Sequence, residues 1–491
     1  MVSVGIRSLA VNFPHTIRTN DYWLQKFPAL SSQKVQRQAQ ANVNLTSSDD
    51  GLDIWLQQVT PYLSDPFRGS VNRHVLASHE SSQTLEYRAA QDAINAAKLA
   101  TDEVDLMLVA SLFPDAVGPG AAAMLAQQLN LRCPAWNLES TCSSALIALQ
   151  TAQAFVQTGT YRHVLIVVSH IGSRCVNDED TLSWSMGDGA GAFVVGSVKP
   201  NQGILSTKIV STTATCNAYV HELVVDAQRQ PRIRTRTGEN ASTLAETAVD
   251  CVRDCCQQAL RAAGVSLEQI DLFAFNTPTA WYASVCAKAL GIEPQRTLNL
   301  YPHYANIGPV FSIANLYHAV AAGKLREDNL VLVYANGAGA TAAATVMRWG
   351  DVALGSVDLL SNIPQADAIN VTTRSSHSAV KQASEVTKIL AANPEQRASM
   401  LEAYVCEWLA SSLSISRSEL DSRVVLTTVL DSLMAIALRS QIEVDFAVRV
   451  PMENFFGDTI EHLIEFLLNQ VAVAELMTSE VKTSAREIVR L

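Results

Sequence analysis

Short apolar runs alternate with helical patterns along the first 350 residues. The runs "DLMLVASLF" and "HVLIVVSHI" show no polar alternation, as expected of strands that are buried on both faces of a sheet. Between them, Ala-rich stretches such as "DAINAAKLA" have the spacing of amphipathic helices. The alternation predicts a layered α/β architecture.

This pattern occurs twice. Residues 92–111 and 258–277 each read as an Ala-rich helix, an acidic turn and a buried strand, and their starts lie 166 residues apart. The same offset carries the strand at 163–169 onto the strand at 329–335. Two coincidences would hardly share one offset, so the sequence predicts a duplicated α/β unit.

The pattern changes near residue 355. A stretch rich in Ser, Ala and Asn indicates a linker, and three later segments have helical spacing, which predicts a small all-α bundle. The predicted divisions are a duplicated region at 1–354 (pseudo-repeats at about 1–195 and 196–354), a linker at 355–393, a bundle at 394–472 and a tail at 473–491.

Composition narrows the function classes. The net charge is −11, with no basic run that could follow a phosphate backbone, so we expect no nucleic-acid partner. The nine cysteines show no C-x-x-C spacing, which favours reduced thiols in the cytoplasm. Apolar runs are shorter than the roughly 20 residues that span a bilayer, and no secretory leader is recognisable. Scattered histidines and the absence of G-x-G-x-x-G suggest neither a metal nor a dinucleotide cofactor.

One cysteine stands where chemistry is often found. Cys142, in "NLESTCSSALIALQTA", lies at a predicted junction between a strand and a helix. The unpaired N–H groups of a helix start lower a thiol pKa, and Ser140 or Thr141 could cap that helix. The alternative is a buried structural cysteine, which this stretch alone does not exclude.

The first 350 residues resemble the thiolase superfamily, and specifically the type III β-ketoacyl-ACP synthases. The resemblance lies in "STCSSALIALQTA", "GDGAGAFVVG", "YANIGPVFSIANLYHAVAAGKL" and "NLVLVYANGAGATAAATVMRW", which follow in family order. It implies a duplicated αβαβα fold, a homodimer, and a Cys142 that accepts an acyl group from acyl-CoA or an acyl-carrier protein.

The resemblance also assigns an oxyanion hole. It implies that the backbone amides of Cys142 and of a glycine in "NGAGAT", Gly339, stabilise the charge that develops on the attacked thioester oxygen. The alternative for this glycine-rich stretch is tight turning with close packing.

The chain departs from the family at the histidine that, with an asparagine, polarises the second substrate. The family's asparagine matches Asn306, but Asn276 stands where the histidine is expected. His303 shares a loop with Asn306 and is the favoured replacement; His170, after a buried strand, is the other. A lone histidine in such places is more often structural.

The C-terminal bundle resembles acyl and peptidyl carrier proteins. "DSLMAIALRSQIE" and "NFFGDTIEHL" stand at carrier spacing, which implies that a phosphopantetheinyl transferase attaches 4'-phosphopantetheine to Ser432. The alternative is that Asp431 and Ser432 only cap an amphipathic helix. A tethered carrier would raise the local concentration of its thioester at the enzyme.

Three functions follow from these patterns. The first is a synthase of polyketide-type specialised metabolism, which transfers an acyl group from Cys142 by Claisen-type condensation to a phosphopantetheine-bound acceptor. The second is an O- or N-acyltransferase of the same fold, favoured by the missing histidine. The third is a non-catalytic, carrier-bearing partner subunit, which the intact cysteine disfavours.

Overall fold

The protein is described from a computed structural model. It covers residues 2–28, 51–63, 65–226, 229–238, 240–356, 386–413, 415–426, 430, 432–448, 450–455 and 458–471. Contacts divide the chain into two compact units, residues 1–27 with 67–368 and residues 28–66 with 369–491. Each unit is described by itself.

The first unit contains a six-stranded sheet with the order β14-β1-β7-β6-β4-β5. Strands β4, β5 and β6 run parallel, whereas β7 pairs antiparallel with both β6 and β1. The strands are β1 (Val4–Asn12), β4 (Leu106–Leu112), β5 (Ala135–Asn137), β6 (Val164–Ile171), β7 (Asp188–Ser197) and β14 (Ala353–Leu354). Every residue of β6 is buried, as its unbroken apolar run predicts.

A second, four-stranded sheet has the order β11-β12-β13-β8. Its strands are β8 (Gly203–Ser211), β11 (Leu272–Phe275), β12 (Leu330–Asn336) and β13 (Thr341–Arg348). Strands β4 and β11 start at residues 106 and 272, and β6 and β12 at 164 and 330, so both pairs keep the 166-residue offset. The predicted duplication is confirmed.

Helices form the other three layers. Helix α3 (Ser82–Ala96) packs on the outer face of the first sheet and α6 (Ala241–Ala263) on that of the second. Between the sheets lie α5 (Ser144–Gln157) and α9 (Phe311–Ala321), each of which contacts strands of both. The order of layers is therefore αβαβα, and the two central helices occupy equivalent positions of the two repeats.

The remaining elements of this unit are shorter. They include two small antiparallel sheets, β2 (Ile17–Thr19) with β3 (Asn72–His74) and β9 (Tyr219–Val225) with β10 (Pro231–Thr237). The other helices are α1 (Asn20–Lys26), α4 (Ala121–Gln128), α7 (Tyr282–Leu290) and α8 (Tyr301–Tyr304). Along β9 exposed residues alternate with partly buried ones, so this hairpin has one solvent-facing side.

The second unit contains the predicted helices of the bundle. Helices α10 (Pro394–Leu413) and α11 (Ser432–Phe446), helical residues 386–391 and 460–471, and a 3₁₀ turn at Met452–Phe455 enclose a core of aliphatic side chains and Phe455. Helix α2 (Gly51–Val59) belongs to the same unit. Most of the predicted linker, at 357–385, and the predicted tail lie outside the described residues.

Two negative findings apply to the described ranges only. They contain no helix that is long and apolar enough to cross a membrane. They also contain no group of three or more His, Cys, Asp or Glu side chains arranged to hold a metal ion.

A buried histidine of α9 affects stability. His318 is 6% exposed, and its Nε2 lies 3.0 Å from the Tyr304 hydroxyl. Burial lowers the pKa of His318 to about 4, and the nearby His303 adds to the decrease. The folded protein therefore keeps this imidazole neutral at pH values where the unfolded chain binds a proton.

We predict that the free energy of unfolding falls as the pH is lowered from about 6.5 to about 4. Because the unfolded state binds more protons in this window, each such histidine contributes up to ~1.4 kcal/mol per pH unit. Urea titrations of the full chain at several pH values measure the slope. His318→Gln should reduce it, whereas His79→Gln, at an exposed position, should not; equal slopes in wild type and His318→Gln would contradict the assignment.

Candidate active site

Cys142 lies in a single 3₁₀ turn, Thr141–Ser143, that leads directly into α5. The predicted junction is therefore present, but the capping prediction is wrong. Neither the Ser140 nor the Thr141 hydroxyl caps this turn or the helix. Instead the Ser144 hydroxyl accepts from the Ser140 N–H at 2.8 Å and donates to the Thr141 carbonyl at 2.6 Å.

The hydroxyl pairs around Cys142 hold its turn against the second repeat. The Thr341 hydroxyl, at the start of β13, lies 2.7 Å from the Ser140 hydroxyl and 2.9 Å from the Ser143 hydroxyl. Ser143 also donates to the Ser140 carbonyl, at 2.7 Å. The polar residues that flank the cysteine thus fix the backbone that carries it.

The backbone before the sulfur is strained. Thr141 has φ +49°, a left-handed conformation that is unfavourable for a β-branched residue. A side chain at Gly337 would collide with the Thr141 hydroxyl and the Ser140 carbonyl, so only glycine allows this turn to approach so closely. Non-glycine residues in such conformations cluster at functional sites.

The thiol is half-buried, and protein atoms surround it on most sides, as in the wall of a concave site. Burial raises the pKa of Cys142 to about 12, and the nearby Glu139 carboxylate adds to the rise. Glu139 is held in place because its Oε1 accepts from the Thr141 N–H at 2.6 Å. In the free protein these effects oppose the expected lowering by the helix start, and the thiol stays protonated.

Gly308 faces the cysteine turn from the second repeat. The 3₁₀ turn Gly308–Val310 precedes α9 as the Cys142 turn precedes α5, and the two turns pack against each other. Gly308 stands 166 residues after Cys142, so these are equivalent positions of the duplication. Two helix starts therefore meet at one site, and both direct positive potential toward it.

Both predicted asparagines bind Gly308. The Gly308 N–H donates to Asn306 Oδ1 at 2.9 Å, and Asn276 Nδ2 donates to the Gly308 carbonyl at 2.7 Å. Asn276 is fully buried, and its Oδ1 has no hydrogen-bond partner within the described part of the chain. The structure thus brings Asn276 and Asn306 together beside the Cys142 turn.

The loop that carries Asn306 is strained as well. Ala305 has φ +55° and ψ −155°, a region that is essentially restricted to glycine. Its neighbour Asn306 is fixed by backbone bonds, from its N–H to the Ser185 carbonyl and from the Gly187 N–H to its own carbonyl. Surrounding structure therefore imposes the conformation that aims the Asn306 side chain at Gly308.

Of the two candidate histidines, the structure places His170 beside this junction. The His170 ring packs so tightly on Gly308 that a Cβ there would lie 2.6 Å from its Cδ2. His303, which the sequence favours, lies in α8. Its charge lowers the pKa values of His74 and His318, so these are its titratable neighbours. The preference for His303 therefore has no support from the geometry.

The predicted oxyanion donor at Gly339 is already bonded. Its N–H donates to the Thr215 hydroxyl at 2.8 Å. The preceding residue, Ala338, is half-exposed, and its N–H has no acceptor among the described residues. Ala338 follows Gly337, which abuts the Cys142 turn, so its N–H is a candidate partner of the Cys142 N–H in place of that of Gly339.

The β9–β10 hairpin and the end of β4 provide a further wall of the site, and no sequence pattern predicted it. Burial raises the pKa of Tyr219, and the Cys142 sulfur adds to the rise, which places this phenol near the thiol. The Phe113 ring lies edge-on to His170 and to His221, with centroids 5.3 and 4.8 Å away. These residues belong to no motif, and only folding brings them to Cys142.

In the second unit, Ser432 is the first residue of α11. The face of this helix that carries Met434, Leu438 and Ile442 is buried in the bundle core, and Ser432 begins the helix. A hydroxyl there is suited to carry a phosphodiester, because backbone N–H groups face the phosphate. Ser432 thus fits phosphopantetheine attachment; Asp431 lies outside the described residues.

Comparison with protein families gives three matches along the chain. Residues 136–213 match 3-oxoacyl-[acyl-carrier-protein (ACP)] synthase III, and residues 260–349 match the C-terminal model of that family. Residues 404–467 match the phosphopantetheine attachment site. The first two ranges contain Cys142, Asn276 and Asn306, and the third contains Ser432.

Whole-length relatives agree with these matches. The β-ketoacyl-[acyl-carrier-protein] synthase III of Gloeobacter violaceus is 29% identical over 325 residues, which cover 64% of this chain and 96% of the relative. That of Chelativorans sp. is 27% identical over 320 residues, with the same coverage of both chains.

Solved structures show the same fold. The synthase III of Thermus thermophilus has 25% identity and a TM-score of 0.57, and the match covers 71% of this chain and 99% of that one. OleA of Xanthomonas campestris, solved with bound lauric acid and lauroyl-CoA, has 15% identity and a TM-score of 0.57, and the match covers 71% of this chain and 99% of that one.

These findings define the class of protein. Over its first 350 residues the chain is similar to β-ketoacyl-ACP synthase III and has the thiolase fold, and it carries a C-terminal phosphopantetheine attachment domain. The resemblance inferred from the sequence is confirmed, including the fused carrier.

We predict that Glu139→Gln increases the reactivity of Cys142. Glutamine can still accept from the Thr141 N–H, but it removes the negative charge that raises the thiol pKa. The pKa then falls, and each unit of decrease raises the thiolate fraction at pH 8 about tenfold. Alkylation of Cys142 by iodoacetamide, followed by mass spectrometry, measures the rate. Glu327→Gln, at an exposed ion pair with Lys199, is the control; unchanged or slower alkylation in Glu139→Gln would contradict the prediction.

Proposed function

We propose that the protein is an acyl-thioester synthase or transferase of polyketide-type specialised metabolism. Cys142 takes an acyl group from a CoA or carrier-protein thioester and then passes it to a second substrate. The observation that carries the proposal is the position of Cys142, half-exposed on a fixed turn at the start of α5 and packed against the Gly308 turn that holds both asparagines.

The first step is attack of the Cys142 sulfur on the thioester carbonyl. The oxygen of that carbonyl gains negative charge, which the N–H groups of Cys142 and Ala338 are placed to stabilise. The two helix starts add positive potential at the same point. The C–S bond of the donor thioester breaks as the new C–S bond to Cys142 forms, and the proton of the Cys142 thiol ends on the departing CoA or carrier sulfur, which leaves as a thiol. Because burial and the Glu139 carboxylate keep the pKa of the free thiol raised, Cys142 gives up this proton only once the thioester is bound.

The second step transfers the acyl group onward. The names of the relatives support a carbon acceptor, as in β-ketoacyl synthesis. Asn276, at the position where the family has histidine, supports an oxygen or nitrogen acceptor. Both acceptors use the same acyl-cysteine, so the covalent step is tested first.

The carrier domain supplies the other half of the proposal. 4'-Phosphopantetheine attached to Ser432 would provide a flexible thiol that carries acyl groups as thioesters. The Ser432 hydroxyl at the start of α11 is the attachment point, and a phosphopantetheinyl transferase is the partner that modifies it. Fusion keeps such a carrier at high local concentration for the synthase region of its own chain or of a dimer partner.

We predict that radiolabelled acyl-CoA labels the wild-type protein covalently and does not label Cys142→Ala. The label should be lost because no other thiol stands on the fixed turn at the start of α5. Cys216→Ala, which removes an exposed thiol, is the matched control and should label like wild type. Full labelling of Cys142→Ala would refute the covalent role.

Treatment with a phosphopantetheinyl transferase and CoA should add one phosphopantetheine to the chain. Intact-mass analysis detects the addition, which should be absent in Ser432→Ala because the attachment hydroxyl is gone. Ser440→Ala, on the same helix but buried, should be modified like wild type. Modification of Ser432→Ala would show that the arm is attached elsewhere.

A further inference from the structure

The chemistry of the second substrate can be read from the groups around Gly308. We propose that the acceptor is a hydroxyl or amine compound, and that His170 is the general base that takes the proton from its O–H or N–H group. This inference rests on the proposed acylation of Cys142 and adds the acceptor class and the base. It selects heteroatom transfer over decarboxylative condensation.

The tautomer of His170 is set by its one hydrogen bond. Nδ1 lies 2.8 Å from the carbonyl of Gly187, which only accepts hydrogen bonds, so Nδ1 carries the proton. Nε2 then has a lone pair, and within the described ranges no protein group bonds to it. The imidazole is thus held as a proton acceptor.

Two glycines allow the ring to occupy this place. A Cβ at Gly308 would lie 2.6 Å from Cδ2 of His170, and one at Gly172 would lie 2.5 Å from Cε1. Nε2 is the ring atom between these two carbons, so it lies at the edge that runs from Gly172 to Gly308. The Gly308 end of this edge therefore lies at the turn that packs against the Cys142 turn.

Asn276 presents a second acceptor at the same glycine. Its Nδ2 is committed to the Gly308 carbonyl, and its buried Oδ1 has no partner among the described residues. A buried acceptor without a donor is unfavourable, because it has lost the hydrogen bonds that water would give it. A ligand that brings an O–H or N–H group would satisfy this atom and be deprotonated by His170.

Decarboxylative condensation requires the opposite arrangement. It needs two hydrogen-bond donors on the carbonyl oxygen of the second thioester, where the enolate charge develops. Asn306 can provide one donor, because its Oδ1 accepts from the Gly308 N–H and its Nδ2 can therefore donate to the substrate. The positions that should provide the other donor, Asn276 Oδ1 and His170 Nε2, are acceptors.

The step balances in atoms and electrons. The acceptor oxygen or nitrogen attacks the carbonyl carbon of the acyl group on Cys142 and loses its proton to His170 Nε2. The new C–O or C–N bond forms as the C–S bond breaks, and the proton passes from His170 to the departing sulfur. The products are an ester or amide and the free Cys142 thiol, with no oxidant or reductant.

The ionisable groups near His170 are few. His221 lies across the Phe113 ring, Glu86 accepts from the Ser169 hydroxyl, and Asp188 accepts from Ser173. Burial lowers the pKa of His170 to about 4, and His221 adds a smaller decrease. A base of this kind stays unprotonated at pH 5.5, where an ordinary histidine is largely charged.

The test separates the two half-reactions. The full-length protein is acylated on Cys142 with radiolabelled acyl-CoA, freed of CoA, and offered 1-butanol, ethanolamine or malonyl-CoA in single-turnover reactions. We expect the butanol or ethanolamine arm to consume the label as ester or amide, and no carbon dioxide from the malonyl arm. The bond in the product, ester or amide, identifies oxygen or nitrogen as the acceptor atom.

Variants then assign the base. His170→Asn and His170→Gln should slow transfer about 10²-fold or more while acylation of Cys142 stays within about threefold, because only transfer uses the lone pair. His303→Asn is the matched control and should transfer like wild type. In the wild type, the rate of transfer to 1-butanol, which does not titrate in this range, should persist at pH 5.5. A rate that falls with an ordinary histidine pKa near 6.5 would overturn the assignment of the base.

The failures can be told apart. Release of carbon dioxide with consumption of the labelled Cys142 would overturn the acceptor class and leave the covalent role intact. Transfer that is equally fast in both His170 variants would overturn the base. Absence of any label on Cys142 would refute the proposed function itself, and this inference with it.

Discussion

The contact between the Cys142 turn and the Gly308 turn is the constraint on which the site depends. The duplicated fold has one such turn before a central helix in each repeat, and the packing of the five layers brings the two helix starts into contact. The first turn carries the Cys142 thiol, and the second has glycine, Gly308, at the equivalent position. Because Gly308 has no Cβ, the ring of His170 can pack on it, while its carbonyl and N–H bind the side chains of Asn276 and Asn306.

Strain on both sides of this contact shows what the packing imposes. Thr141 and Ala305 have backbone conformations that suit glycine, and each immediately precedes a residue of the proposed chemistry. Such conformations cost of order 1–3 kcal/mol each and persist only where neighbours hold them. Here the neighbours are the Thr341 hydroxyl with Ser140 and Ser143, and the backbone bonds around Asn306.

Electrostatics explains why the site needs its substrate in order to react. The Cys142 thiol, which is largely enclosed and lies beside Glu139, is protonated, and His170 is neutral because it is buried. Both groups are poised for proton transfer only when a substrate brings a developing charge that the helix starts can stabilise. A free protein with a less reactive thiol is also better protected against wasteful alkylation and oxidation.

Much of this could be derived from the sequence. The 166-residue repeat, the buried strands and the helix after Cys142 follow from periodicity, which is a local property of the chain. Motif spacing placed Asn306, Asn276 and Ser432. The sequence wrongly predicted that Ser140 or Thr141 caps the helix, because Ser140 instead meets Thr341 of the other repeat, which lies far away along the chain. The sequence also favoured His303, but closeness to Asn306 along the chain does not determine the direction of a side chain.

The sequence by itself therefore determined the layers, the duplication, the carrier and the position of Cys142 at a helix start. Only the tertiary structure decided which histidine stands at Gly308, that the Gly339 N–H is taken by Thr215, and that Tyr219, His221 and Phe113 form a wall of the site. The physical reason is that hydrophobic periodicity encodes which face of an element is buried. The partners that meet on that face come from distant segments, and their hydrogen bonds leave no pattern along the chain.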